Sequence, residues 1–512
     1  MSKRAAVLVV LDGWGIGPAD ETNPIFVAEP KNINYIKENF PAGALQSAGI
    51  SVGLPWNEEG NSEVGHLNLG AGRIIYQYYP RITLAVRDKS FFQNPALKKA
   101  FEHAKKNNSA VNIMGLIGGG VVHSSLEHLD ALLTFAEKEE VSNVNLHLFT
   151  DGRDSPPMSA FDFLKNLPQE KIASISGRSL AMDRDGHWER TEKAYQAIVG
   201  DGPIIQNCED HLKKTYENNF NDEFIEPALV GDKNRAIKDN DSVIFFNYRE
   251  DRMRQTISAF IDEKFDHFPV KKFNNLYIVS MTQYDNRFKI PVAFPPEFVE
   301  TPLSKILADN GKVQIRIAET QKYAHITYFF NGLKEEPFKN EYRVLIPSKR
   351  MLRLETHPEM MAKEITARVI EAIEEKAFDF ILVNYANPDM IAHTGDFNAT
   401  VKAIKITDEQ IGKILDSCLK NNAFLIITSD HGNAERVIDP LTGLPETKHD
   451  PNPVPVYIAA KEFQRKKSAT EIKETESITT GILADVTPTI LALLKIPKPA
   501  EMTGQNLLKY LL

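Results

Sequence analysis

Short apolar runs alternate with amphipathic stretches along this whole chain, and that alternation confines it to the α/β class. The runs lie at residues 5–11, 111–117, 144–149, 171–176, 243–247, 276–280, 313–318, 380–384, 424–428 and 455–459. Most are rich in Val, Ile, Leu and Phe with little polar interruption, as strands buried on both faces of a parallel sheet require. Between them, residues 126–139, 358–375 and 400–420 repeat apolar positions at helical spacing. Strand–helix alternation on this scale implies largely parallel sheets covered by helices.

Such sheets carry their chemistry at the carboxyl ends of the strands. Asp12, Asp389 and Asp430 each follow one of these runs. His393 comes four residues after Asp389, His431 adjoins Asp430, and His449 precedes a proline-rich entry into another run. Three carboxylates and three imidazoles gathered at one sheet edge would hold two divalent metal ions. Oxygen and nitrogen ligands without thiolate suit manganese or zinc. Three carboxylates against two dications leave about one formal positive charge, which attracts phosphate. Since Asp12 and Asp389 must then meet, the residues between them are expected to form a domain inserted into the first. Two breaks fit such an insertion: one near residues 76–81, the other near 291–302, where Pro291, Pro295, Pro296 and Pro302 interrupt regular structure. The expected division is 1–77 with 299–512, and 78–298.

Composition removes several alternatives. A net charge of -9 over 512 residues argues against a general nucleic-acid binder, whose domain is usually basic. Two cysteines, Cys208 and Cys418, form no disulfide framework and fit a reducing compartment. Residues 1–12 read as a first strand rather than a signal peptide, and no apolar stretch is long enough for a membrane span. A cytoplasmic location is expected.

Taken singly, each motif has a plain structural reading. An aspartate at a strand end, as in Asp12-Gly13-Trp14-Gly15, more often caps a turn. Ser62, in Gly60-Asn61-Ser62-Glu63-Val64-Gly65-His66, is either an exposed nucleophile or a helix cap. No Gly-x-Ser-x-Gly elbow is present, so metal coordination rather than a hydrolase triad would activate it. A lone histidine is usually a satisfied structural residue. Five such sites at strand ends of one α/β chain are much harder to dismiss.

Together the motifs DGWG, GNSEVGH, NYANPDM-x-x-H, SDHGN and H-x-x-NPVP resemble the cofactor-independent phosphoglycerate mutases of the alkaline-phosphatase superfamily. The resemblance covers nearly the whole chain. It implies an alkaline-phosphatase-like parallel-sheet domain with a second α/β domain inserted into it, one binding metal and the other substrate. It implies Asp12, Ser62, Asp430 and His431 as ligands of one metal, Asp389, His393 and His449 as ligands of the other, and manganese as the metal. Ser62 matches the serine that the family phosphorylates transiently, and Lys322 a lysine that contacts substrate. The implied reaction interconverts 3- and 2-phosphoglycerate in glycolysis and gluconeogenesis, by a monomer acting on a small molecule without nucleic acid or membrane.

The middle of the chain carries further clusters: GGGVVHS at 118–124, a flexible loop presenting His123, then TDGRDSPP at 150–157, Ser176-Gly177-Arg178 and FNYREDR at 246–252 after strand-like runs, with Met182-Asp183-Arg184-Asp185 and Trp188-Glu189-Arg190 soon after Arg178. Arginines converging at strand ends suit bidentate binding of carboxylate and phosphate. Solvated arginines paired with nearby acids are the plain alternative. A helix opening at Arg249 would put Arg249 and Arg252 on one face. By the resemblance, His123, Arg153, Asp154, Arg184, Arg190, Arg249 and Arg252 bind substrate, with Asp154 as acid and base. Two departures affect loop shape: Ser179-Leu180 stands where two tyrosines are expected, and Glu250 where proline is expected. Residues 349–357 also match poorly. His66, close to Ser62, is placed outside the catalytic set. His103, His128, His147, His187, His211, His267, His325 and His357 are assigned ordinary structural roles.

Overall fold

The structure is a computed structural model that describes residues 4–349 and 352–512. Its two compact units are the chain through Gln77 with Glu297–Leu512, and Tyr78–Pro296. Each is built on one mostly parallel sheet.

The first unit's sheet has eight strands, in the order Glu341–Ile346, Gln314–Glu319, Phe380–Tyr385, Ala6–Leu11, Phe424–Thr428, Val454–Ala459, Ala42–Gln46 and Thr479–Ile482. Ala6–Leu11 sits between Phe380–Tyr385 and Phe424–Thr428 and is parallel to both, with Ala6 level with Phe380 and Phe424. Strand alternation sends Val7, Val9, Ile381, Val383, Leu425 and Ile427 into one core. Ala6, Leu8, Val10, Phe380, Leu382, Phe424 and Ile426 go into the other. The helices Ala362–Glu375 and Phe397–Asn421 contribute to the first core, and Leu303–Asp309 and Val486–Leu493 to the second. Burying each such side chain is worth roughly 1.5–3 kcal/mol. These central strands therefore anchor the edge on which the aspartates stand.

Val454–Ala459 is antiparallel to both its neighbours. Its entry loop therefore lies where the parallel strands end, which brings His449 to their carboxyl edge.

The second unit's sheet runs Ile204–Ile205, Ala228–Val230, Ile172–Gly177, Val144–Thr150, Val111–Ile117, Ser242–Phe245 and Tyr277–Ser280. Only the contact between Ile172–Gly177 and Ala228–Val230 is antiparallel. Among the described residues no helix is long and apolar enough to cross a membrane. Every expected strand is present to within two residues at its ends. Ala42–Gln46, Ile204–Ile205, Ala228–Val230, Glu341–Ile346 and Thr479–Ile482 were not anticipated. They are short, lie toward the sheet flanks, or carry glycine, so their apolar signal is weak. Of residues 349–357, Arg350 and Met351 lie outside the described set, and Leu354–Thr356 forms a single helical turn.

Two histidines in the second unit make its stability depend on acid. His147 lies within the sheet, its Nδ1 2.8 Å from Ser174 Oγ and its Nε2 3.1 Å from Asn112 Oδ1. His128 is buried with Nε2 2.9 Å from Thr83 Oγ1. Burial pushes both down to about 3. In the unfolded chain each protonates near pH ~6.5. The stabilisation is thus complete above the unfolded value and is lost as pH falls toward the folded one, at up to about 1.4 kcal/mol per pH unit per group. Native-state hydrogen exchange of Val144–Thr150, corrected for intrinsic rates, should show about 2–4 kcal/mol less protection at pH 5 than at pH 7.5. His147→Gln should shrink the difference. Equal protection at both pH values would refute it.

Candidate active site

In the first unit, strand ends deliver Asp12, Lys322, Asp389, Asp430 and their neighbours to one edge of the sheet. Asp12 directly follows Ala6–Leu11, and the chain then turns through Gly13 at φ 72°. A Cβ on Gly13 would come within 2.8 Å of the Asp389 backbone. Glycine thus lets two segments more than 370 residues apart touch. Asp389 lies in the first turn of the helix Asn387–Ala392, and His393 caps its end one turn later on the same face. Asp430 and His431 follow Phe424–Thr428. Lys322 closes the turn Thr320–Lys322 after Gln314–Glu319.

Ser62 is the first residue of the helix Ser62–Ala71. The cap is Asn61, whose side chain accepts from the Val64 amide at 3.0 Å. Ser62 is therefore not the cap, and its hydroxyl is free to face the sheet edge. Gly65 in the same helix would place a Cβ 2.6 Å from the Asp430 carbonyl oxygen, so the helix lies directly against that strand end.

Ser62 Oγ lies 2.8 Å from Lys322 Nζ, 3.0 Å from His431 Nε2 and 3.3 Å from Asp12 Oδ1. Lys322 also donates to Asp12 Oδ1 at 2.6 Å and Asp389 Oδ2 at 2.7 Å. Two groups able to hold a metal ion flank this centre: Asp12 with Asp430 and His431, and Asp389 with His393 and His449. Within the second, Asp389 Oδ1 is 3.2 Å from His393 Nε2 and 3.5 Å from His449 Nε2.

The hydrogen bonds on the outer side of each imidazole suit metal binding. His393 Nδ1 meets the Thr447 carbonyl at 2.8 Å, His431 Nδ1 that of Gly432 at 3.2 Å, and His449 Nδ1 that of Gly60 at 2.8 Å. A carbonyl only accepts, so the neutral rings carry their proton on Nδ1 and turn the Nε2 lone pair inward. The inward atoms of His393 and His449 stand 3.1 Å apart. Two lone pairs that close repel unless a cation or a shared proton lies between them. The charge count agrees: Asp12, Asp389 and Asp430 are all but fully buried and share a single ammonium, Lys322. Uncompensated carboxylates are costly in so dry a place.

Ionisation follows this crowding. Burial, then the neighbouring Asp430, push Asp12 up to about 7. Burial also opposes ionisation of Asp389, but Lys322 and His393 hold it well below the usual range. Burial would strip the proton from Lys322, yet Asp12, Asp389 and Asp430 keep its pKa above the ordinary value. His431 is held down at about 4, chiefly by burial.

Three supporting residues were left out of the sequence-based set. His66 Nδ1 lies 2.9 Å from the Ser62 carbonyl and 3.1 Å from Asp430 Oδ2. Asn384 Nδ2 donates to Asp12 Oδ2 at 2.7 Å. Asn433 Nδ2 donates to Asp389 Oδ1 at 2.7 Å. Asn384 and Asn433 lie inside the quoted motifs, and only folding shows that they orient carboxylates.

In the second unit several expected residues stand beyond strand ends, while Arg184 lies between two helices and Arg190 inside the helix Trp188–Ile198. His123 follows Val111–Ile117, and Arg153 and Asp154 follow Val144–Thr150. Arg184 pairs with Asp251, and Arg249 Nε reaches the same carboxylate at 3.2 Å. Arg190 is held by Asp183 at 3.5 Å. Arg252 donates to the Met182 carbonyl at 3.3 Å, and burial, then the charges of Arg184 and Arg178, keep its pKa below the usual value. A bound anion would relieve that surplus of positive charge.

One expectation here is corrected. No helix opens at Arg249; it begins at Arg254. The Tyr248 amide instead donates to the His123 carbonyl at 2.8 Å, tying this segment to the His123 loop.

Comparison with known proteins agrees with this chemistry. The Metalloenzyme superfamily pattern matches residues 4–498. The chain is 44% identical to the 2,3-bisphosphoglycerate-independent phosphoglycerate mutase of Clostridium botulinum strain Langeland, over 99% of this chain and 100% of that one. It is 43% identical to 2,3-bisphosphoglycerate-independent phosphoglycerate mutase 1 of Methanosarcina barkeri, over 99% and 98% of the two chains. Among solved structures it resembles Leishmania mexicana phosphoglycerate mutase at low cobalt concentration, with a TM-score of 0.53, 28% identity, and coverage of 99% of this chain and 98% of that one. Full-length identity at this level, with the ligand groups in place, makes the chain a member of the 2,3-bisphosphoglycerate-independent phosphoglycerate mutase family of metalloenzymes.

Proposed function

We propose that this protein interconverts 3-phosphoglycerate and 2-phosphoglycerate, without 2,3-bisphosphoglycerate, through a phosphoserine at Ser62. The observation that carries the reading is the Ser62 hydroxyl, 2.8 Å from a buried ammonium and flanked by two ligand groups. Asp12, Ser62, Asp430 and His431 would hold one divalent cation, and Asp389, His393 and His449 the other; the oxygen and nitrogen donors suit manganese or zinc, and the family resemblance favours manganese. When bound, the two ions would lower the pKa of the serine hydroxyl and offset phosphoryl charge.

The chain's own groups divide the remaining work. The ionised Ser62 hydroxyl attacks the substrate phosphorus as the ester bond to the glycerate 3-oxygen breaks, and Lys322 stabilises the charge that develops on the transferring group. Asp154 passes the proton of the 2-hydroxyl to the departing 3-oxygen, and the 2-oxygen then takes the phosphoryl group back from Ser62. The second unit supplies the groups for glycerate. Arg153, Arg184, Arg190, Arg249 and Arg252 bind its carboxylate and phosphate. His123 donates toward the phosphoryl group. Asp154, where burial opposes ionisation but the Arg178 hydrogen bond and the charges of Arg178, His123 and Arg153 together keep the pKa below the usual value, exchanges protons with the 2- and 3-hydroxyls. Retaining glycerate until the phosphoryl group returns distinguishes a mutase from a phosphatase. The two free, buried cysteines accord with a cytoplasmic enzyme, and we assign it as a monomer.

Proton NMR of 3-phosphoglycerate with the pure protein and manganese, and no bisphosphoglycerate, tests the reading. Resonances of 2-phosphoglycerate should grow to equilibrium and stop growing on addition of chelator. Release of inorganic phosphate with no 2-phosphoglycerate would replace the mutase by a phosphatase.

A further inference from the structure

Arg178 is 3% exposed, whereas Arg184 and Arg190 are 44% exposed and Arg249 49%. A side chain so enclosed has little surface to offer a ligand directly, and whatever it does passes through its neighbours. It stands where Ile172–Gly177 ends, in the first position of the short helix Arg178–Ala181. One guanidinium nitrogen, Nη1, donates to Asp151 and, at 2.6 Å, to Asp154 Oδ2. The other, Nη2, lies 2.9 Å from His123 Nε2. Asp151 is anchored separately, accepting from Ser155 Oγ at 2.7 Å and from the Asp154 amide at 3.2 Å.

Hydrogen-bond chemistry makes this arrangement directional. A guanidinium has donors, no acceptor, and stays protonated in proteins. His123 Nε2 must therefore accept, and the ring's proton is on Nδ1. That atom is buried and has no hydrogen-bond partner among the described residues. A buried N–H without an acceptor is destabilising, and a ligand oxygen would satisfy it. An arginine serving only to pair Asp151 would not need its second nitrogen on an imidazole.

We propose that Arg178 is a positioning residue of the mutase reaction. By donating to His123 Nε2 it presents Nδ1–H of His123 to an anionic oxygen of the substrate. By donating to Asp154 Oδ2 it holds that carboxylate ionised and oriented to take a hydroxyl proton. The inference rests on the assignment of His123 and Asp154 to substrate. Burial, with the Arg178 charge second, holds His123 down at about 4, which keeps the ring neutral at working pH.

The test uses the full-length, metal-loaded protein. Long-range ¹⁵N–¹H spectra of histidine-labelled enzyme should show His123 as the Nδ1–H tautomer, and Arg178→Lys should weaken that signature. In Arg178→Lys, kcat should fall roughly 10- to 100-fold, with KM changing less. Added guanidinium should restore at least about tenfold of the activity lost in Arg178→Ala, and ammonium should not. If Arg178→Ala fails to fold, the lysine variant and the tautomer spectrum carry the test. An Nε2–H tautomer in the unmodified enzyme, or unchanged kcat in Arg178→Lys, overturns the proposal. Failure of the unmodified enzyme to convert 3-phosphoglycerate would instead overturn the mutase reading.

Discussion

Ser62→Ala is expected to reduce mutase turnover by on the order of 10⁴-fold or more, with the fold intact. The hydroxyl is the one nucleophile at the point where Lys322, His431 and Asp12 converge, and alanine keeps the helix. Lys322 keeps its bonds to Asp12 and Asp389, so no buried charge is left alone. Rapid quenching with ³²P-labelled 3-phosphoglycerate should trap labelled protein in the unmodified enzyme and none in the variant. Retention of turnover by Ser62→Ala would mean that the phosphoryl group never visits this serine.

The second large effect is expected on removing metal. Chelation should abolish activity, by about 10³-fold or more, because the ions supply charge stabilisation that Lys322 alone cannot. It should also lower stability by about 2.7 kcal/mol per site relative to protein held at a hundredfold the dissociation constant. His449→Ala should bind about one equivalent of manganese where the unmodified protein binds two, because it removes a ligand of the Asp389 group and leaves Asp12, Asp430 and His431 untouched. Atomic absorption on dialysed protein would check both values. Equal metal content in the two proteins would show that His449 is not a ligand.

The central strands were legible because their signal is local. Ala6–Leu11, Phe380–Tyr385 and Phe424–Thr428 are continuous apolar runs, and burial on both sheet faces demands that pattern. The flanking strands were not legible. Ala42–Gln46 and Thr479–Ile482 carry glycine and small or polar residues, and their neighbours rather than their own propensities make them strands. The helix expected at Arg249 failed for a related reason, since the Tyr248 amide finds its acceptor at His123, 125 residues away.

By itself, the sequence determined the α/β class, the delivery of carboxylates and imidazoles by strand ends, and an oxygen-and-nitrogen donor set without thiolate. Each follows from residue type and spacing over about ten positions. Tertiary structure alone decided that the Ser62 hydroxyl meets Lys322, that a reversed strand carries His449 to the same edge, that backbone carbonyls turn three imidazoles inward, and that Arg178 bridges His123 and Asp154. Those outcomes depend on strand order, strand direction and hydrogen bonds between distant segments, and periodicity along the chain carries no record of them.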